Sequence, residues 1–435
     1  MRDGTNAAAE ELVDLLNKVV EGWTVERTEA AFHDQAKRVT FSERAGQRFE
    51  ARVVSNDRET ALVLRCSSPE PVSEEDIRLM RKVASVLDAD LRVVGNPVVA
   101  QDLWGALKET RFLRAAARLS PFSTDPLIRW VDAFEAATRQ TYEGNRFTGS
   151  VILAMNVDSF RAHAGDRFHQ FAREIRLEQA LLKEKWLKPF LQEGEFALVS
   201  VSHRGMVIGF VDTTVAWRQP QFRGPTEDLD GLYGFLRPGV SILRASPAGD
   251  IQLVLPNGTA FVKSQGEWRY PTWRTLRDLL VRRLGAEVGP QILAQVVSAS
   301  YKRRGSLYVF LDNGVDPSEM VADHNRPERS ASILRSTLTG RGIRSSRQRR
   351  VVNAASRIDG AIIFDSRGCI VDVATMVGEP LPEALAAAGI DGLQRFGGAR
   401  STAAWNASVH GLAIKVSDDG PVDAYEYGQL VFHSG

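Results

Sequence analysis

The apolar runs of this chain are all short. Ile251–Pro256 (IQLVLP) and Ala361–Phe364 (AIIF) are each the length of one β-strand, and no run approaches the ~18 uninterrupted apolar residues that suggest a membrane span. Strand-sized runs separated by helix-period segments call for layered packing of sheets and helices. The 435 residues exceed what one ordinary hydrophobic core serves, so two or three domains are expected. At 43% apolar and 25% charged residues, the composition is globular rather than fibrous or disordered. A formal net charge of +1 provides no global field to recruit nucleic acid or an anionic membrane. Cys66 and Cys369 are the only cysteines, which excludes a disulfide scaffold and a cysteine-rich zinc site and fits a reducing compartment. The start, MRDGTNAAAEEL, has no apolar stretch of signal-peptide length, so a soluble, cytoplasmic protein with no membrane partner is expected.

Local patterns divide the chain further. Leu12, Leu15, Leu16 and Val19 recur at helical spacing. Strand-like runs follow at Arg48–Val54 and Thr60–Cys66. Ser73 then caps a helix through Leu87, with Asp76 three residues on and Ile77, Met80, Val83, Val86 and Leu87 on one face. Two strands leading into a long helix resemble the closing part of a GAF-type sensor, and residues 1–100 are read as a small α+β domain. Residues 102–140 read as helix broken at Ser120-Pro121 and Asp125-Pro126, Val151–Asn156 as a buried strand, and Arg167–Leu191 as a long helix. Phe196–Asp212 reads as two strands turning at His203-Arg204-Gly205, and Asp250–Trp268 as two more around the Asn257-Gly258 turn. A helix over Pro271–Leu284 leads out, so residues 105–280 form a second α+β domain. Between Asp312 and Arg357 the chain is polar, helix and loop, and includes Arg341, Arg344, Arg347, Arg349 and Arg350. This basic run lacks interleaved aromatics for base stacking, which favours a solvated or phosphate-facing loop over a nucleic-acid site.

Three separated pieces of the last third carry the chemistry. Ile292–Asp312 (ILAQVVSASYKRRGSLYVFLD) is a helix ending in Arg303, Arg304 and Gly305 before a buried strand. Arg357–Val377 (RIDGAIIFDSRGCIVDVATMV) sets Asp359, Gly360 and Ala361 ahead of a strand, a turn and a second strand. Gly397–Ser408 (GGARSTAAWNAS) is a glycine turn at a helix start, where free backbone N–H groups and a guanidinium suit phosphate. In this order the pieces resemble the diadenylate cyclase family over about 150 residues. The Asp-Gly-Ala signature is complete. In the phosphate motif Gly398 and Arg400 agree, while Ala399, Ser401 and Thr402 replace Thr, His and Arg.

The resemblance implies a C-terminal mixed β-sheet flanked by helices over residues 283–435, preceded by α+β domains, in an α/β and α+β multidomain chain. The segment 105–280 is similar in arrangement to the probable sensor domains found ahead of such cyclases, and its ligand is unknown. Implied too are ATP as substrate, Mg²⁺ or Mn²⁺ as cofactor, cyclic di-AMP and pyrophosphate as products, and a homo-oligomer of at least a face-to-face dimer. By residue, Asp359 would activate a ribose 3′-hydroxyl or bind metal, and Gly360 and Ala361 would let the backbone approach the nucleotide. Gly398, Arg400, Ser401 and Thr402 would hold phosphates. Asp418 and Asp419 stand where a metal-side acidic residue is found in the family, and equally read as an Asp-Asp-Gly hairpin turn. Met376 and Val377 fall at the adenine pocket or in the core. The replaced His-Arg pair keeps open a second reading, a nucleotide-binding sensor without turnover.

Overall fold

The structure is a computed structural model. It describes residues 4–20, 23–28, 38–44, 48–55, 58–66, 72–98, 100–142, 144–192, 194–201, 205–214, 230–246, 248–271, 273–321, 333–344 and 346–434. The chain is mixed α/β and divides into two compact units, residues 1–222 with 231–271, and residues 223–230 with 272–435. Among the described residues no helix is long and apolar enough to cross a membrane.

The first unit opens with α1 (Gly4–Asn17), which buries Leu12, Leu15 and Leu16 as their spacing requires. β1 (Trp23–Thr28), β2 (Val39–Arg44), β3 (Arg48–Ser55) and β4 (Arg58–Cys66) make an antiparallel sheet in the order β1-β4-β3-β2. α2 (Glu74–Val94) starts on a reciprocal cap. The Asp76 N–H donates to Ser73 Oγ at 3.1 Å, and the Ser73 N–H donates to the Asp76 carboxylate at 2.8 Å. α3 (Gln101–Ala117) and α4 (Thr124–Thr138) follow. The expected break at Asp125-Pro126 is instead the first turn of α4, where a proline loses no helical hydrogen bond.

The remaining elements are the two-residue β5 (Thr141–Tyr142) and β6 (Asn145–Arg146), β7 (Ser150–Ala154), α5 (Val157–Ala164), β8 (Phe168–Arg176), α6 (Leu177–Lys183), α7 (Leu187–Gln192), β9 (Phe196–Val201), β10 (Met206–Asp212), α8 (Asp230–Tyr233), β11 (Val240–Ala245), β12 (Ile251–Val254), β13 (Ala260–Ser264) and β14 (Glu267–Arg269). Eight of these strands form a sheet in the order β14-β13-β12-β11-β7-β9-β10-β8. Its β12–β13 turn falls at Asn257-Gly258 as expected, with Gly258 at φ 85°. The His203-Arg204 tip of the β9–β10 turn lies outside the described residues.

The expected helix over Arg167–Leu191 is not formed. Its first part is β8, pairing antiparallel with β10 at the sheet edge, and only the remainder is helical, in α6 and α7. The charged residues of FHQFAREIR suit a helix by propensity, but the unpaired N–H and C=O groups of β10 offer that segment a ladder that outweighs it. A single apolar core runs through this unit, from Leu12 and Leu87 through Phe112 to Phe261, crossing the expected boundary near residue 100.

At that crossing sits a buried charge cluster. Asp90 accepts from Arg111 Nε at 2.8 Å and from Arg114 Nη1 at 2.6 Å, and Arg111 Nη1 lies 3.1 Å from Glu11 Oε1. Arg111 is fully buried and stacks its guanidinium over Trp104, 3.7 Å from the ring centroid.

The second unit begins with α9 (Arg274–Tyr301), which kinks at Gly285, where φ 83° and ψ 165° leave the helical range. A six-stranded sheet follows from β15 (Ser306–Leu311), β16 (Ala361–Phe364), β17 (Ile370–Thr375), β18 (Gly411–Val416), β19 (Val422–Glu426) and β20 (Gln429–Ser434). Its order is β17-β16-β15-β18-β19-β20, and only β15 and β16 are parallel. α10 (Ile333–Leu338), α11 (Ser346–Ala355), α12 (Pro382–Ala387) and α13 (Ala399–Ser408) complete it. Tyr308, Phe310 and Ile414 face α9, whereas Leu307, Val309 and Ala413 face Ala404 and Trp405 of α13. The period-2 alternation of a buried strand therefore sorts each side chain to one helix layer or the other.

Replacing Asp90 by Ala strands the buried Arg111 without its best partner. We expect a loss of about 3–5 kcal/mol of stability in the first unit, against about 0.5 kcal/mol or less for Arg78→Ala, which removes an exposed pair with Glu74; urea unfolding followed by tryptophan fluorescence measures both.

Candidate functional site

Strand register brings the three sequence pieces together. Leu307 of β15 pairs with Ala361 of β16 on one side and Lys415 of β18 on the other, and Ala361 pairs with Thr375 of β17. Two residues back from the Leu307–Ala361 pair stand Gly305 and Asp359, and beyond Val416 and Thr375 the chain reaches Asp418 and Met376. All of these lie at one end of the sheet. α13 runs back along its face, so its first turn, with Arg400 and Ser401, opens at the same end.

The tightest contact there involves Asp418. One of its carboxylate oxygens accepts the Gly305 N–H at 2.7 Å and the other accepts Arg400 Nη1 at 2.9 Å. Hydrogen bonding from Arg400 is the largest influence; with the charge of Arg400 and the Gly305 N–H it outweighs burial, the second largest, and holds the Asp418 carboxyl below its ordinary range. Gly305 has no room for a side chain, because a Cβ would run into the Arg400 guanidinium and the Asp418 carboxylate. The hairpin reading of Asp418-Asp419-Gly420 also holds: Ser417 and Pro421 close the turn at 2.8 Å, with Gly420 at φ 109°.

Asp359 is exposed at the mouth of β16, one oxygen accepting the following Gly360 N–H at 3.0 Å. The glycine at 360 is explained by the sheet itself. Its φ is 100°, and a Cβ would lie 2.6 Å from the carbonyl carbon of Ala374, itself left-handed at φ 54°. Ala361 is the buried first residue of β16. Met376 is 39% exposed at this end, whereas Val377 is tied down by a bridge to Val321 and packs into the core under α13.

Gly398 is the N-cap of α13 and no side chain caps it, so the first-turn N–H groups of this ten-residue helix keep their pull on an anion. Thr402 is already employed: its hydroxyl oxygen accepts the Phe396 N–H at 3.1 Å and its proton faces the Gly398 and Phe396 carbonyls. Its structural work is to close the 396–398 loop. Ser401 instead accepts a hydrogen bond from Lys415 Nζ at 2.9 Å, which leaves its own proton to donate outward.

Lys415 also donates to Asp423 at 2.6 Å, and His433 Nδ1 lies 2.6 Å from the other Asp423 oxygen. Burial acts to raise the Asp423 carboxyl, but the Lys415 and His433 hydrogen bonds outweigh it and hold it low. Reading by motif misses Lys415. The signal was a lysine in the apolar run GLAIKV, equidistant with Asp423 from Asp419 and so opposite it across the hairpin. Thr375 is a second group missed, buried in the same row with no hydrogen-bond partner for its hydroxyl among the described residues.

Asp359, Asp418 and Asp419 do not form a metal cage. Asp418 is taken by Arg400 and Gly305, and among the described residues there is no group of three or more His, Cys, Asp or Glu able to hold a metal ion. Asp359 is exposed and, among the described residues, carries only the Gly360 N–H on one of its oxygens. A cleft of about 480 Å³ lies at the opposite end of β16 and β17, lined by Gly340, Arg344, Arg367 and Cys369, and it belongs to none of these residues. From the basic run, Arg344 faces Glu287 at 3.7 Å and Arg349 donates to the Arg344 carbonyl, while the side chain of Arg347 lies outside the described residues. Comparison with protein-family models gives no match, and neither does comparison with curated proteins.

Two outcomes check this geometry. Arg400→Gln removes the largest influence on Asp418, so its carboxyl titration, followed by ¹³C NMR, should rise toward 3.8; an unchanged value would refute the pairing. Gly360→Ala should cost about 1–3 kcal/mol, read from denaturant midpoints, whereas Gly397→Ala, in open space, should cost far less.

Proposed function

We propose that the second unit binds ATP at the Asp359–Arg400 end of its sheet and, paired with a second copy, condenses two ATP into cyclic di-AMP and two pyrophosphates. The observation that carries this reading is the meeting of Gly305, Asp359, Arg400 and Asp418 at one sheet end, beside an uncapped helix start. These are the segments whose sequences resemble the cyclase family. In the proposed reaction Asp359 takes the proton of a ribose 3′-hydroxyl. The freed oxygen bonds to the α-phosphorus of the partner's ATP as the bond to pyrophosphate breaks, and the reciprocal step closes the ring.

Arg400, Ser401 and the first-turn N–H groups of α13 would hold the phosphates, with Met376 beside the adenine. Asp359 would also meet Mg²⁺ or Mn²⁺ carried in by ATP, whose charge would offset that of the phosphates. Lys415 would stand in for the cation that the phosphate motif lacks: its ammonium lies behind Ser401, so the serine proton is aimed outward and the site gains positive charge one step removed. The first unit, an α+β assembly, would act as a sensor that biases pairing of two cyclase units, a population shift of a few kcal/mol. Homo-oligomerisation and a cytoplasmic setting belong to the same proposal.

One observation favours the second reading, nucleotide binding without turnover. Asp418 already occupies Arg400, and Thr402 is committed to loop closure. Incubating the full chain with ATP and Mn²⁺ and resolving products by chromatography separates the two. Cyclic di-AMP supports the synthase, and ATP binding without product supports the sensor. In the synthase case Arg400→Ala and Lys415→Met should each lower the rate about 10²-fold, with Lys415→Arg retaining most of it. If neither product nor ATP binding appears, both readings fail.

A further inference from the structure

A second concentration of charge gathers where α9 and α11 hand over to their strands; its arginines adjoin Gly305 and Asp359 in sequence, but their side chains have no role in the reaction proposed above. Lys302 caps the C-terminal end of α9, Arg303 turns the chain at φ 49°, and Arg304 leads into β15 with its N–H on the Ala299 carbonyl at 2.9 Å. Arg357 follows α11. The two turns are stitched by Ser306 Oγ, which donates to the Ser356 carbonyl at 3.1 Å. Burial, then Arg304 and Arg357, push the Lys302 amine down to about 8, and burial and Arg357 lower Arg304 as well. Arg304 Nη1 is buried with no hydrogen-bond partner among the described residues, whereas Arg357 is exposed and open to solvent. The acidic groups of the adjoining β18–β19 turn are Asp418 and Asp419. That turn is tethered by Ser300 Oγ on the Gly420 carbonyl, and Asp418 already serves Arg400 and Gly305.

We propose that Lys302, Arg304 and Arg357 form a binding site for a multivalent oxyanion of the phosphate class. Three cations on two turns that Ser306 and Ser356 hold together repel one another, and the buried Arg304 Nη1, without an acceptor among the described residues, is costly; a single polyanion answers both. A monovalent carboxylate offers too little charge for three cations, whereas phosphate or pyrophosphate carries two or more charges on oxygens that take guanidinium and ammonium donors at once. The site adjoins the proposed ATP site at the same sheet end but shares no side chain with Arg400, Ser401 or Lys415, so variants of the two groups tell the readings apart.

The test is calorimetric titration of the full chain with orthophosphate, pyrophosphate and ATP at constant ionic strength. Saturable binding is expected, weakened at least tenfold by Arg304→Gln with Arg357→Gln; for orthophosphate and pyrophosphate it should change less than twofold with Arg400→Gln. Binding by the two inorganic ions assigns the site to free phosphate species, and ATP binding alone, lost in the Arg304→Gln, Arg357→Gln double variant, assigns it to a nucleotide's phosphates. Lys302→Met should weaken binding and Lys302→Arg should restore it. Raising the pH from 7 to 9 should weaken the wild type, as the amine discharges, but not the arginine variant. A thermal melt accompanies each variant, so loss of binding with an unchanged melt supports the site. Absence of saturable binding to the wild type, equal binding by the folded double variant, or a tenfold loss of orthophosphate and pyrophosphate binding with Arg400→Gln would overturn it.

Discussion

Asp418 ties the site end of the C-terminal sheet together, because one carboxylate satisfies a backbone N–H at the mouth of β15 and a guanidinium on the first turn of α13. A charged acceptor bridging a strand mouth and a helix start sets where Arg400 points, and the absent side chain at Gly305 makes room for it. Remove that acceptor and Arg400 is a mobile surface cation. The neighbouring network, Ser401 on Lys415 on Asp423 on His433, does the same for the other side of that turn. Two carboxylates on one hairpin thus position two donors on one helix.

That arrangement depends on topology more than on any side chain. β15 has a parallel neighbour on one side and an antiparallel one on the other, so the start of β15, the start of β16 and the end of β18 share an edge. The edge collects segments more than fifty residues apart in sequence. It is also where α9 and α11 end, which concentrates cations there. Apolar packing on both faces, α9 against one and α13 against the other, makes the edge rigid enough to hold such groups in place.

Much of this was legible before any coordinates. The Ser73 cap, the Asn257-Gly258 and Asp418-Asp419-Gly420 turns, the strands at Ala361 and Ile370 and the glycine-initiated helix at Gly398 all stand where the sequence places them. Each depends on a residue and its near neighbours. Other features depend on partners that the sequence does not show. Gly360 follows from a close backbone crossing with Ala374, and Thr402 turns its hydroxyl onto its own loop. The helix expected at Arg167 became an edge strand, because its partner β10 lies thirty residues away in sequence and propensity does not see it.

The sequence by itself determined the lengths and ends of the elements: caps, turns, glycines and the alternation of apolar residues act over a few bonds. Only the tertiary structure decided which charges own one another, that Asp418 belongs to Arg400, Lys415 to Ser401 and Asp423, and Asp90 to Arg111. The reason is physical. An ionic hydrogen bond is strong only at contact distance and away from water, and strand register and helix packing alone say which distant groups come within that distance.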